Sequence, residues 1–282
     1  MKNASVTIRP TRPQRVDGVL DTAVKLSKAS VVKVLPLSLL MALVSAPGSL
    51  YVFVKGGVDL SDPFGMIRLM LSPGYLLVSA VGGVGMMFVA AAVSLKMAAI
   101  ASDSDMSTAA SLLKSLRHLP SLLVSLVLYV VVVGIGPFLL IVPTLMSRNN
   151  PVAVSLGVLL TIISVIPGVS LLLFVATNLF ENKGPIAALT ASHHLVWGKW
   201  WHTNAVLVVG ALLLIVIYAI VALVVGGVTA VQVLGGGSAN LARMGLIGDL
   251  LVSLVSSPFV TPFSVALFLA IYWDLQLRSS GH

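Results

Sequence analysis

Three of the five histidines and three of the four tryptophans fall between Glu181 and His202, in the stretch ENKGPIAALTASHHLVWGKWWH. His193, His194 and His202 are residue types that a zinc or copper site uses. Their spacing argues against one. Adjacent histidines point in different directions on a helix, and no Asp or Glu stands three or four positions from His193 or His194. A histidine beside tryptophans at a membrane border reads instead as an amphipathic anchor, and Trp197, Trp200 and Trp201 read the same way.

Two acid–base pairs come next: Glu181 with Lys183, and Asp274 with Arg278 at i,i+4. Ionisable groups in a chain this apolar are functional candidates. These sit at the ends of apolar runs, where pairing across a helix end accounts for them. Asp249 and Lys96 take the same structural reading. No GxSxG occurs, and the acidic residues are too few and too dispersed to orient a histidine beside a serine. The glycine clusters at 82–85 and 235–238 follow no strand and carry no P-loop lysine, so they read as a packing face and a turn. No catalytic residue, metal or cofactor is expected. The residues expected to carry interaction or structure are Glu181, Lys183, His193, Trp197, Trp200, Trp201, Asp274 and Arg278.

The elements that must position these residues follow from composition. The chain has 282 residues, 58% hydrophobic and 9% charged, with a mean hydropathy of +1.07. Soluble domains carry about 25% charged residues, so this is a polytopic membrane protein. The stretches between apolar runs are too short for a soluble domain. The net charge of +8 reads as membrane topology and attraction to anionic lipid headgroups, not as nucleic-acid binding. Cysteine is absent, which excludes disulfides and thiol chemistry. The N-terminus lacks the form of a signal peptide, so the first span is expected to stay uncleaved.

Six apolar runs predict transmembrane helices at about 31–54, 74–100, 121–146, 152–180, 204–233 and 246–275. Each odd-numbered span is preceded by an amphipathic stretch. In the first, Val16, Val19, Leu20, Ala23, Val24 and Leu26 share a face opposite Asp17, Asp21, Lys25 and Lys28; Asp21 and Lys25 are spaced to pair. In the second, Met106, Ala109, Ala110, Leu112, Leu113 and Leu116 oppose Ser107, Ser111, Lys114 and His118, with Asp105 or Ser104 as N-cap. In the third, Ile186, Leu189, His193, Val196, Trp197, Trp200 and Trp201 oppose Ala188, Ala191, Ser192, Gly198 and Lys199. All three are expected to lie as helices in the membrane interface. Small residues at Ser79, Gly82, Gly83, Gly85 and Ala90–Ala92 predict a central second span. Prolines predict bends in spans three, four and six, with the fourth broken at Pro167-Gly168, and a short surface helix is expected near Pro63–Leu71.

Of the 17 Lys and Arg residues, only Lys55, Arg68, Arg148 and Arg243 fall on the side opposite the termini. That imbalance predicts cytoplasmic termini and cytoplasmic amphipathic helices. Residues 1–14 are expected to form a disordered cytoplasmic tail, and 15–282 a single six-helix transmembrane domain. The recurrence of interfacial helix, outward span and inward span suggests a threefold pseudo-repeat. Any six-span protein with both termini on one side also has three outward hairpins, so both accounts stand.

Three places resemble a known family. The start has Arg9-Pro10 and then Asp17, Leu20, Asp21 and Leu26. The fourth linker has Glu181, Gly184-Pro185, Ala188-Leu189, Ser192, Leu195, Gly198 and Trp200. The end has Pro262 and then Tyr272, Asp274, Leu275 and Arg278. Together they resemble bacterial proteins carrying the glycerophosphoryl diester phosphodiesterase membrane domain, with YciC-like inner-membrane proteins as related or look-alike chains. The resemblance implies a multipass protein of the bacterial cytoplasmic membrane that lacks the soluble phosphodiesterase barrel fused to some members, and so implies no enzyme. Two function classes follow. One is a non-enzymatic component that organises lipid, a membrane-protein partner or a second copy of itself through a basic, Trp-rich cytoplasmic face. The other is a transporter or lipid-handling protein for a neutral or amphiphilic substrate, with kinked spans three, four and six lining its path. A cavity lined by Ser164, Ser170, Thr177, Ser253 or Ser256 would favour the second.

Overall fold

A computed structural model describes residues 8–55, 63–104, 106–146, 151–234 and 241–280. The described residues form helices α1 (Val16–Lys55), α2 (Pro63–Met70), α3 (Pro73–Ala101), α4 (Thr108–Met146), α5 (Pro151–Leu171), α6 (Phe174–Glu181), α7 (Pro185–Trp197), α8 (Trp200–Leu234) and α9 (Leu241–Ser280), and no strand. Six stretches are long and apolar enough to cross a membrane: Val16–Val52, Pro73–Ala101, Thr108–Ile135, Ser155–Glu181, Trp200–Gly227 and Gly248–Ser280. The chain is an all-α multipass membrane protein. The short helix expected near Pro63 is α2. The turns expected at 147–150 and 235–238 lie outside the described residues, as does Asp105.

Two of the three expected interfacial helices are instead the leading turns of spans. α1 runs unbroken for 40 residues, about 60 Å at 1.5 Å per residue, against a hydrocarbon core of about 30 Å. Its apolar face turns inward to protein: Val19, Ala23 and Leu26 are fully buried in the core that also holds Ala270, Ile271 and Tyr272. No glycine or proline separates the amphipathic stretch from the span, so the helix has no reason to stop. α4 likewise runs for 39 residues, from Thr108 through Pro120 and Pro137. Its N-cap is Ser107, whose Oγ accepts from Ala110 N at 3.1 Å. Ser104 bonds back to Ala99 O at 3.0 Å and closes the end of α3. Only the third amphipathic stretch forms a separate helix, because Gly198 and Lys199 turn the chain between α7 and α8.

The centre of the bundle is α9, where 61% of its most apolar window is buried, against 22% for α3. The small residues of α3 serve a narrower purpose than a central position. A Cβ on Gly82 would lie 3.2 Å from Val44 O, and one on Gly85 would lie 3.1 Å from Val44 Cβ. They let the backbones of α1 and α3 approach, the use small residues have where lipid supplies no hydrophobic drive. α9 also packs against α1, where Ser257 Oγ donates to Ser38 O at 2.5 Å.

The expected tail is docked from Ile8 onward. Ile8 packs on the main core, the Arg9 guanidinium sits 5.9 Å from the Trp273 ring centroid, and Gln14 is hydrogen-bonded to α9. The start of α1, the end of α3, the start of α4, residues 178–202 and the end of α9 therefore gather at one end of the bundle, the terminal end.

Candidate functional site

The last turns of α9 organise the terminal end. At about 100° per residue, Tyr272 and Gln276 share one face, Trp273 a second, and Asp274 and Arg278 a third. Each face holds a different part of the chain.

Asp274 is 1% exposed, and three donors meet it. Gln14 N–H donates to Oδ1 at 2.6 Å, and Arg278 Nε donates to Oδ2 at 2.7 Å. His202 Nε2 lies 3.0 Å from Oδ2, and because a carboxylate offers only lone pairs, Nε2 carries the proton of that bond. Arg278 also donates to Gln14 O. A buried carboxylate is tolerated when a cation and further donors satisfy it, and Asp274 has both. The pairing expected of Asp274 and Arg278 is present, but as one edge of a larger clasp. His202 was expected among the tryptophans; it belongs here.

On the opposite face, Glu181 ends α6 and accepts from Tyr272 OH at 2.9 Å and from Gln276 Nε2 at 3.3 Å. Gln276 Nε2 also donates to Tyr272 OH at 2.6 Å, and Lys183 Nζ lies 2.6 Å from Glu181 Oε2. Phe180 stacks on Tyr272 at 5.8 Å between centroids. Lys96, expected to be structural, is buried and donates to Thr108 Oγ1 at 2.5 Å, while Asp249 is exposed on α9.

The two faces drawn for α7 are rearranged. Ala188, Leu189, Ser192 and Val196 are the buried side, while Ile186, Trp197 and Trp201 are exposed. Hydrogen bonding decides this. The fourth span is interrupted at 172–173, one turn beyond the expected Pro167-Gly168, and α7 stitches the gap. Ser192 Oγ donates to Ser170 O at 2.8 Å and accepts from Leu173 N at 3.1 Å. Thr177 Oγ1 donates to Ala188 O at 2.8 Å. His193 rests on Trp197, with ring centroids 4.9 Å apart, and its Nδ1 lies 3.2 Å from Ser170 Oγ. The three histidines of the stretch thus diverge, and among the described residues no three His, Cys, Asp or Glu side chains converge on a metal position.

Trp200 packs on the core with its Nε1 buried and unpartnered, edge-on to Trp201 at 4.8 Å. Trp197 and Trp201 flank an apolar groove of 810 Å³. Ile162, Ile163, Val165 and Ile166 of α5 form one wall, and residues 197–202 form the other, with Lys199 and His202 among them. Of the five hydroxyls proposed as a path lining, all but that of Ser253 turn to carbonyls instead. Ser164 bonds to Thr161 O at 2.7 Å, Ser170 to Pro167 O at 3.2 Å, and Ser256 to Ser253 O at 3.4 Å.

Sequence reasoning missed Gln14, Ser192, Tyr272 and Gln276 as holders of this end. The i,i+4 repetition of Tyr272 with Gln276, beside that of Asp274 with Arg278, was the available signal. Gln14 acts through its backbone, which no side-chain pattern displays. Comparison with family models, with curated proteins and with solved structures finds no match for this chain.

Proposed function

We propose that this is a non-enzymatic multipass protein of a bacterial cytoplasmic membrane, with both termini in the cytoplasm, that holds lipid at its basic, Trp-rich face. The observation that carries the reading is the groove beside α5. Its volume suits an acyl chain, its isoleucine wall has no polar competitor for one, and it is flanked by Trp197 and Trp201, amphipathic rings of the kind membrane proteins use at headgroup level. Lys199 at the same groove favours an anionic headgroup. The predominance of Lys and Arg on the terminal end supports the orientation. The resemblance to stand-alone glycerophosphoryl diester phosphodiesterase membrane domains belongs to the same proposal and assigns no phosphodiester chemistry.

A second reading, handling of a neutral or amphiphilic molecule, keeps the groove and loses the path. Ser164, Ser170, Thr177 and Ser256 spend their hydroxyls on carbonyls, which favours a lipid held at the side of the bundle over a solute crossing it. Brominated acyl chains test the proposal, since bromine quenches a nearby indole. Anionic brominated lipid in nanodiscs is expected to quench the protein's tryptophans more than zwitterionic brominated lipid, and Lys199→Gln should erase the difference. Equal quenching by both lipids in the wild type would overturn it.

A further inference from the structure

A second recess on the terminal end, separate from the groove, has different chemistry. It measures 390 Å³ and is lined by Arg117, His118 and Ser121 of α4, Asn178 of α6, and the turn Asn182–Gly184. Arg117 is exposed and His118 half-buried, and neither has an ion-pair or hydrogen-bond partner among the described residues. Lys183 adds a second fixed cation. Its ammonium is paired with Glu181 Oε2 at 2.6 Å while Tyr272 and Gln276 take the other oxygen, so Arg117 is the cation of the recess that meets no acid among the described residues.

Backbone geometry adds to the positive character. Asn182 takes the left-handed conformation at φ 50°, which Asn tolerates, and turns the chain from α6 into α7. Gly184 is the N-cap of the 13-residue α7 and supplies no capping side chain. Pro185 at the first position has no N–H, so the partial positive charge of this helix start is offered through the donors of Ile186 and Ala187.

Asn178 is the independent sign of a ligand. It is 1% exposed, and its amide is oriented by two bonds from Nδ2, to Ser121 Oγ at 2.6 Å and to Lys183 O at 2.9 Å. Its Oδ1 is buried and has no hydrogen-bond partner. A buried acceptor left unpaired is destabilising by about 1–3 kcal/mol, so such an atom asks for a donor. The cations around it are spent on no acid except Glu181.

We propose that this recess binds a phosphate ester: the phosphate between Arg117, Lys183 and the start of α7, with His118 alongside, and a hydroxyl or ammonium of the ester's alcohol donating to Asn178 Oδ1. A lipid headgroup and a soluble phosphate ester share this chemistry. The site goes beyond the lipid groove, with which it shares no lining residue.

Purified full-length protein in a neutral detergent is titrated with phosphoethanolamine by calorimetry, and protein in phosphatidylcholine nanodiscs is compared with and without phosphatidylglycerol by native mass spectrometry. Saturable binding in the first arm identifies a soluble ester, and retention of phosphatidylglycerol in the second identifies a headgroup. In whichever arm binds, Arg117→Gln is expected to weaken it about tenfold, the scale of a charge-assisted bond. Lys114→Gln, one turn away, exposed and outside the recess, makes the same charge change and should leave binding unaltered. Both side chains are exposed, so both variants should fold, with the elution profile as the check. Equal weakening by the two variants would reduce the site to general surface charge, and absence of binding in both arms would remove it. Quenching at the tryptophan groove is read separately, so either proposal can fail alone.

Discussion

From Val89 to Ala101, α3 buries ten side chains; from Pro73 to Phe88 it buries none. The same division crosses α9, where residues 261–275 are almost wholly buried and 248–260 bury only Ser256 and Ser257. At the far end, Val130, Val131, Ile135, Ile215 and Leu223 stand exposed on their helices. The residue types are alike at both ends, so apolarity does not separate them. Lipid is as good a solvent for leucine as another leucine is, and burial against protein gains little there. What differs is hydrogen bonding across elements. The terminal end has Asp274, Glu181, Ser192 and Asn178 tying distant segments together, and the aliphatic side chains of Val130, Val131, Ile135, Ile215 and Leu223 have no polar atom with which to do so.

The largest effect should follow from cutting the main tie. Asp274→Ala leaves Arg278, His202 and Gln14 N–H without their acceptor, and removing one member of a buried ion pair is destabilising by about 3–5 kcal/mol. Denaturation in mixed micelles measures it. Leu223→Ala, at a side chain 76% exposed, should change stability by less than about 0.5 kcal/mol. Comparable losses from the two would abolish the distinction between the ends.

Glycines provide an intermediate comparison within one helix. A Cβ on Gly210 would lie 2.3 Å from Leu267 Cδ2, and Leu267 is buried, so Gly210→Ala should destabilise by about 1–3 kcal/mol through overpacking. Gly227, on the far half of α8, has nothing within 4 Å of that position. There alanine should stabilise by about 0.5–1 kcal/mol, because glycine is the poorer helix former. Opposite signs in the same unfolding assay would sharpen the comparison; the same sign would contradict it.

The smallest effect belongs to a pair at the terminal end that is not part of its ties. Asp21 and Lys25 meet at 2.6 Å on the outer face of α1, both mostly exposed. A double-mutant cycle should give about 0.3–0.5 kcal/mol, vanishing in high salt. A coupling as strong as that expected at Asp274 would mean that solvent reaches α1 less than its exposure indicates.

The spans were readable because a run of apolar residues needs no partner to be recognised. The i,i+4 contacts of Asp21 with Lys25 and of Asp274 with Arg278 were readable for the same reason, both partners being in view within one turn. Helix continuity was harder. The amphipathic stretch before the first span has a face that suits a membrane surface and a protein core equally well, and only the position of α9 decides between them. Ser192 shows the limit most clearly. A serine on the small side of an amphipathic helix looks solvent-facing, yet it caps a gap in another helix 19 residues earlier. Its role depends on an interruption at 172–173 that has no breaker of its own.

The clasp at Asp274 also sets an order of events. Gln14 and Asp274 are 260 residues apart, so a ribosome delivers the first long before the second. Spans inserted early can pack α1 on α3 through Gly82 and Gly85, but the face of α1 that holds Ser38 stays uncovered until α9 is made. Apolar spans can wait in lipid without penalty, but the backbone of Gln14 and the imidazole of His202 wait without their acceptor. The ties of Ser192, Thr177 and Asn178 can form without α9, so the clasp at Asp274 closes last, when the sixth span arrives to complete contacts that the first span began.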